Sequence, residues 1–386
     1  MAAVPHADPA PLIIAVTNPL DMTRNNEVLS LPLVQVWQRR PAWKSRALAV
    51  REAGHADRLP TQRYASDGGA APDRLLVRLD IAPHATIRLK IQPASSPYTP
   101  KANLLYARHV PERADDFAWE NGLVAFRIYG KALEADGGLV SSGIDVWSKR
   151  PPHHVIDEWY RRDALGQRLG DPTLSYHIDH GDGLDSYNVG HSPGDGGTAI
   201  WLNGAPVYAH NATHVRITAL GPVRLRFEVD YAPWQAGKAV VREHKVVTLD
   251  AGSRFNRQTV KYRITGAHQL TVAAGVAVHA GAKLAHAGAG RIAVWDTPQR
   301  KSAGRIATGL VLPQGESARF AVGGDAAWML FQVTDADTIS FASGAGWSKG
   351  DMPDFRTWLR CLRDYRMRWS HPLQVRWPAA NDGRNI

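Results

Sequence analysis

Lys245-Val-Val-Thr-Leu249 and Gln258-Thr-Val-Lys-Tyr-Arg-Ile264 flank a segment punctuated by Asp250, Gly252 and Asn256. Short β-branched or alternating runs bounded by turn-forming residues read as strands. The same texture recurs at Leu12–Val16, Leu33–Trp37, Leu75–Ile81, Thr86–Ile91, Leu123–Ile128, His214–Ala219, Arg224–Val229 and Leu270–Val278. Their spacing predicts an all-β sandwich. No βαβ rhythm is present, and no glycine-rich phosphate loop follows a strand. One helix is predicted over 354–368. Asp354 can cap it, and Phe355, Trp358, Leu359, Leu362 and Tyr365 recur at helical spacing. A second, short helix is predicted at Ile156–Arg162. Residues 1–95 read as a separate N-terminal β module and Pro93–Lys101 as its linker. Residues 96–386 then carry the larger β domain and the helix.

Composition narrows the function. The chain has 386 residues, 44% hydrophobic and 21% charged, as ordinary globular proteins do. Its formal charge is +10, and 11 of its 46 basic residues are Lys, the rest Arg. Guanidinium forks match carboxylate, sulfate and phosphate geometry, which suits an acidic ligand; an Arg-rich codon bias gives the same excess. The charge is scattered and no basic helix or zinc pattern occurs, so nucleic acid is not an expected partner. The single cysteine, Cys361, excludes an internal disulfide and a multi-cysteine metal site. No apolar run reaches the roughly 18 residues that a membrane span needs. The N-terminus lacks the apolar core of a signal peptide and resembles a mature terminus behind an added Met. The expectation is a periplasmic or secreted protein whose export signal has been removed.

The densest chemistry lies in Tyr176-His-Ile-Asp-His-Gly-Asp-Gly-Leu-Asp-Ser-Tyr187, with two imidazoles, three carboxylates and two phenols in twelve residues. Imidazole exchanges a proton near neutral pH or ligates a metal. On a strand, His177 and Asp179 would share one face. His180 sits where the Gly181-Asp182-Gly183 turn begins. A base is the first reading. A metal site of His177, Asp179 and His180 is the second, although its spacing matches no established signature. A hydrogen-bonded strand end is the structural alternative. Tyr187 is a candidate general acid, or else a packing residue.

Two further stretches put charge and aromatic rings on one strand face. Arg127 and Tyr129 alternate with Phe126 and Ile128 after a turn at Asn121-Gly122; Asp145, Trp147 and Lys149 alternate within 145–149, with Arg150 following. Such faces suit a sugar ring bearing a carboxylate, and equally a salt-bridge lattice. His153-His154 reads as a helix start, His279 as a core histidine held in reserve as a base, and His191–Gly197 as a flexible loop able to fold over a ligand. The sequon Asn211-Ala-Thr213 is read as chance.

Several motifs together resemble a bacterial family, domain of unknown function 4861. They are Asp115-Asp-Phe-Ala-Trp-Glu-Asn121, Ala125-Phe-Arg-Ile-Tyr-Gly130, Ser142-Gly-Ile-Asp-Val-Trp147, the stretch 176–185, Gly221-Pro-Val-Arg224 and Ala345-Gly-Trp-Ser-Lys-Gly350. The resemblance covers roughly residues 10–375. It implies a β-supersandwich like that of galactose mutarotase and several polysaccharide lyases. It also implies a setting in gene clusters for uronate polysaccharides such as pectin and ulvan, and oligosaccharide dehydratase or lyase chemistry.

The resulting expectation is β-elimination on uronic-acid oligosaccharides. His177 would remove the proton at C5, with His180 as alternate. Arg127, with Lys149 or Arg150, would neutralise the carboxylate. Tyr187 would protonate the leaving oxygen, and Trp147 would stack on the ring, beside Tyr129 and Asp145. No cofactor is required, although a divalent metal could replace the arginine as electrophile. A mutarotase or epimerase, and a non-catalytic sugar-binding sandwich, are the alternatives. The sequence does not fix the oligomeric state.

Overall fold

A computed structural model of the chain describes residues 10–286, 290–298 and 301–379. The first nine residues, on which the expectation of a trimmed export signal rests, lie outside them. The chain is all-β apart from a few helices, and its strand pairings are antiparallel except for two isolated bridges. It divides into two compact units. Among the described residues, no helix is long and apolar enough to cross a membrane.

The first unit runs to Asn103 and adds Gly221–Arg224 and the chain from His371 onward. This differs from a division at 95/96, because the C-terminus returns as the strand Gln374–Arg376 and pairs with Leu12–Thr17. Leu12–Thr17 buries every second residue: Leu12, Ile14 and Val16 point inward with Leu89, Ile91 and Val50. The run Leu33–Trp37 departs from the strand expectation. It forms helix α1, Leu33–Arg39, directly after Pro32. Leu33 and Val36, three apart, are its buried positions, while Val34 is 54% exposed, as one turn of helix requires.

The second unit holds 104–220 and 225–370. Its longest sheet contains the quoted pair of runs, extended to Ala239–Asp250 and Phe255–Thr265, which pair with Val247 opposite Gln258. Both strands alternate buried and more exposed residues almost throughout. The sheet continues through Thr338–Trp347, Ile306–Val311 and Arg291–Asp296. A second sheet, centred on Asp195–Leu202, Gln269–Ala277 and Ala326–Thr334, packs over it. Ile200, Val272 and Val276 join Val247, Val260, Leu310 and Phe341 in one core. A third sheet is ordered Gly183–Leu184, Asp145–Lys149, Ala125–Ile128, Asp116–Asn121, Leu105–Val110, and this sheet builds the candidate site.

After the short helix α2, Lys131–Ala135, two longer helices cover the outer faces. Helix α3, Ile156–Leu169, extends the short helix expected there. Helix α4 spans Phe355–Ser370, and Asp354 accepts the Thr357 amide at 2.7 Å, as a cap does. Trp358 is fully buried, lies parallel to Phe255 with ring centroids 5.7 Å apart, and donates its indole N–H to the Thr308 carbonyl at 2.9 Å. Trp358→Ala should therefore destabilise the protein by about 3–5 kcal/mol, through lost apolar burial, a residual cavity and an orphaned carbonyl. Denaturant unfolding measures this; a change typical of an exposed position would contradict the packing.

Candidate functional site

The site grows from strand register. Asp145 pairs with Arg127, and Ser148 and Lys149 pair with Leu184 and Gly183. The chain leaving Leu184 therefore carries Asp185 alongside Asp145 and Arg127. Gly183 is required here. Its φ is +127°, and a Cβ would sit 2.1 Å from the Ser148 carbonyl oxygen. The residues before it form a turn instead of the predicted strand. Asp179 Oδ1 accepts the amides of Gly181 and Gly183 at 3.0 and 3.3 Å, and Ile178 N–H closes on Ser175 O at 3.1 Å. A carboxylate that bonds its own backbone two residues on favours a turn over a ladder.

Arg127 is buried under this turn. Its Nη2 donates to Asp145 Oδ2 at 2.6 Å and Asp185 Oδ2 at 3.0 Å, Nη1 donates to the Tyr176 hydroxyl at 3.3 Å, and Asp116 lies 3.9 Å away. Its guanidinium also sits over the rings of Tyr129, Trp147 and Tyr176, 5.3–5.7 Å from their centroids. One cation thus faces three buried carboxylates. Burial, joined by the charge of Asp145, pushes the Asp185 carboxyl well above its usual range despite Arg127. Burial pushes Asp116 up to about 6, against the pull of Arg127 and Arg113.

The Asp116 shift has a direction that can be tested. Its folded pKa of about 6 exceeds the unfolded value of ~3.9. Between these values the folded state binds the extra proton, so stability declines as pH rises through this window and stays lower above it. Asp116→Asn should remove that decline. Relative to wild type it should gain on the order of 2–3 kcal/mol between pH 4 and pH 8. Denaturant unfolding of both proteins at the two pH values reads the difference, and a gain of opposite sign would contradict the shift.

His177 is the exposed end of this cluster. Its side chain is 55% exposed, and Nδ1 lies 2.9 Å from the Asp185 carbonyl oxygen and 3.7 Å from Asp185 Oδ2. A neutral ring donating from Nδ1 to that carbonyl keeps its lone pair on Nε2. The ring also leans on Tyr176, with centroids 4.6 Å apart. His177 and Arg127 therefore meet on one residue, Asp185, which holds the imidazole on one side and the buried cation on the other. His180 is exposed on the same turn. Arg150, one-third exposed, grips Asp179 with both arms at 2.8 and 2.9 Å and lies over the Trp347 ring at 4.7 Å. That fork holds the Asp179 carboxyl down at about 2.

Comparison with known proteins places the chain. Residues 16–375 match the family described as domain of unknown function (DUF4861). The chain belongs to that family. The match takes in every element of the site. A relative in sequence is the uncharacterized protein P7 of Formosa agariphila, 28% identical over 376 residues, covering 94% of this chain and 92% of P7. In fold, 96% of the chain superposes on an alpha-mannosidase from Enterococcus faecalis V583 with a TM-score of 0.51 at 9% identity, covering 46% of that chain. A protein in the glycosyl hydrolase family 38 from Enterococcus faecalis gives the same score and identity, with 48% of that chain covered. The DUF4861 chain spans about half the length of these structures.

Several residues expected to touch a ligand are sealed in this DUF4861 protein. Arg127, Tyr129, Asp145, Trp147 and Lys149 are all buried. Their strands are covered on both faces, by the main core on one side and by α3 on the other. Trp147 stacks on Trp159 and Tyr176 at 5.1 and 5.4 Å, leaving no face for a sugar ring. Lys149 donates to Glu120 at 2.5 Å and to the Asn121 carbonyl at 2.8 Å. Glu120 in turn accepts the Val155 and Ile156 amides at the start of α3. Arg127 is thus enclosed, with its charge spent on Asp145 and Asp185.

Tyr187 turns away from His177 into the core. It lies edge-on to His279 at 5.5 Å, and burial, followed by Asp195 and Asp296, raises its hydroxyl well above the ordinary phenol range. A buried, weakened acid does not suit protonation of a leaving group at the surface. His279 has both nitrogens engaged, one on Asp296 and the other 2.6 Å from the Asn188 carbonyl. Two acceptors favour the charged ring, and Asp296 raises its pKa, so it is not a free base. The segment expected as a mobile loop is buried from Ser192 through Gly197. Among the described residues no group of three or more His, Cys, Asp or Glu is placed to hold a metal ion. Asp179 spends both oxygens on Arg150, and this separates it from the two imidazoles as a ligand set.

Asp185 and Asp116 are the members of this cluster that sequence reading missed. Asp185 lies inside the quoted stretch 176–187, but its role depends on the pairing of Gly183–Leu184 with 145–149. Nothing in its neighbours announces that pairing.

Proposed function

We propose that this DUF4861 protein is a carbohydrate-active enzyme that acts on uronic-acid oligosaccharides by β-elimination. The observation carrying the reading is His177, an exposed imidazole oriented through Asp185 by a buried guanidinium. Orientation by a backed carboxylate residue is what a general base needs. Nε2 takes the proton from C5, beside the carboxylate. The C5–H electron pair becomes the C4=C5 double bond, the C4–O bond breaks, and the departing oxygen takes a proton from His180. Expulsion of a sugar makes the enzyme a lyase; expulsion of water makes it a dehydratase. Arg150, partly exposed and bonded to the same turn, is the cation assigned to the substrate carboxylate, since Arg127 is enclosed. An Arg150 fork that leaves Asp179 for a substrate carboxylate keeps the same bidentate geometry.

The structural neighbours, an alpha-mannosidase and a protein in the glycosyl hydrolase family 38, support the carbohydrate class. The excess of Arg over Lys supports an acidic substrate. A polymer-derived substrate of ulvan or pectin type fits a periplasmic or secreted location. Incubation with ulvan and pectin oligomers tests the proposal, read as ultraviolet absorbance of the new conjugated double bond. Optical rotation changing without that absorbance would make the protein a mutarotase or epimerase. Binding without either signal would make it a sugar-binding sandwich.

A further inference from the structure

A cavity of about 410 Å³ lies between α4 and the strands Lys283–His286 and Arg291–Asp296. Its floor is apolar, made by Ala285, Ala293, Leu359 and Leu362. Its rim carries four guanidinium groups, from Arg291, Arg356, Arg360 and Arg363. All of these residues belong to the second unit, and none is part of the His177 site.

The charge pattern is costly without a partner. Arg356, Arg360 and Arg363 fall at i, i+4 and i+7 on one helix face, and like charges at that spacing repel. Arg356 also stands in the first turn of α4, where the helix dipole disfavours a cation. Arg363 is held by Asp364 at 2.6 Å. Arg291 has a buried Nε without a hydrogen-bond partner. Burial, together with Arg366 and Arg363, pushes its pKa down. An anion seated on the rim would relieve each of these costs at once.

We propose that this cavity binds a small anionic amphiphile, its headgroup on the arginine rim and its apolar chain on the alanine and leucine floor. Both halves of the ligand follow from the lining. A cavity of this size falls within the ~300–1,000 Å³ range of small-molecule sites. The floor has no aromatic ring on which a sugar could stack, so an oligosaccharide is a poor match. A simple inorganic anion would leave the apolar floor wet.

Calorimetric titration with decanoate tests the assignment, with decyltrimethylammonium and sodium acetate as controls. Decanoate should bind, the cation of equal chain length should not, and acetate should bind far more weakly. The Arg356→Ala/Arg360→Ala double variant should weaken decanoate by at least about tenfold, since charge-assisted hydrogen bonds are lost. Leu359→Trp should abolish binding by filling the floor. Thermal unfolding checks that both variants fold, and turnover on the uronate substrate should be unchanged in both. The proposal is overturned if the cation binds as well as decanoate, or if decanoate ignores both variants. Binding to phosphatidylglycerol vesicles without binding of free decanoate would also overturn it, in favour of a membrane surface.

Discussion

His177→Ala should lower elimination from a uronate oligosaccharide by about 10²–10⁴-fold, with the unfolding transition and substrate affinity close to wild type. The loss is large because nothing else on the turn offers a lone pair held in the same way. His279 has both nitrogens occupied, and Asp179, a carboxylate, is a weaker base than an imidazole. The stability effect is small because the ring is 55% exposed and gives up one hydrogen bond, to the Asp185 carbonyl. Initial rates and denaturant unfolding of the two proteins measure both halves. Turnover persisting in His177→Ala would move the base to His180, while a variant that fails to fold would show that the ring serves packing.

The sheet architecture was legible because the inner strands of the second unit obey a period of two. Residues 245–249 and 258–264 alternate in sequence, and they alternate in burial as well. Helix α4 was legible for the matching reason, since Trp358, Leu362 and Tyr365 fall on one stripe and are the buried positions. Leu33–Trp37 misled because a five-residue run with two valines has no period long enough to tell a strand from a turn of helix. The return of Gln374–Arg376 to the first unit was not legible at all: antiparallel pairing across more than 300 residues leaves no local mark.

The site was half legible. The density of titratable groups in 176–187 pointed to the turn that presents His177 and His180. The neighbouring faces of Arg127, Asp145, Trp147 and Lys149 were read as ligand-facing because a charged strand residue usually faces water. Here the strand is central and covered on both sides. Its charges are satisfied by one another, Arg127 by Asp145 and Asp185 and Lys149 by Glu120. A single sequence shows a charge, while its partner is set by register. Tyr187 failed for the same reason. Two residues beyond Asp185 the chain has already passed into the core.

Arg127→Leu is expected to destabilise the protein by about 3–5 kcal/mol at neutral pH, the cost of stranding buried charge. The guanidinium is the counterion of Asp145 and Asp185 and the nearest cation to Asp116 on strand Ala125–Ile128. Leucine fills part of the volume but leaves Asp145 and Asp185 without their counterion and Asp116 with Arg113 alone. The deficit should shrink as pH falls, because the stranded carboxyls take up protons in the folded state at pH values where the unfolded chain is still ionised. Arg127→Lys should lie between. Lysine keeps the charge but loses the fork that reaches two carboxylates and the flat face that stacks on Tyr129 and Trp147. Arg127→Leu combined with Asp145→Asn and Asp185→Asn should recover part of the stability, since neutral groups need no counterion. It should not recover turnover, because the Asp185 side chain that holds the carbonyl under His177 Nδ1 has lost the guanidinium that braced it. Stability following the net charge of the cluster, with activity following the pair Asp185–His177, is the signature of a positioning arginine. An Arg127→Leu protein that keeps wild-type stability and turnover would place the cluster outside the function.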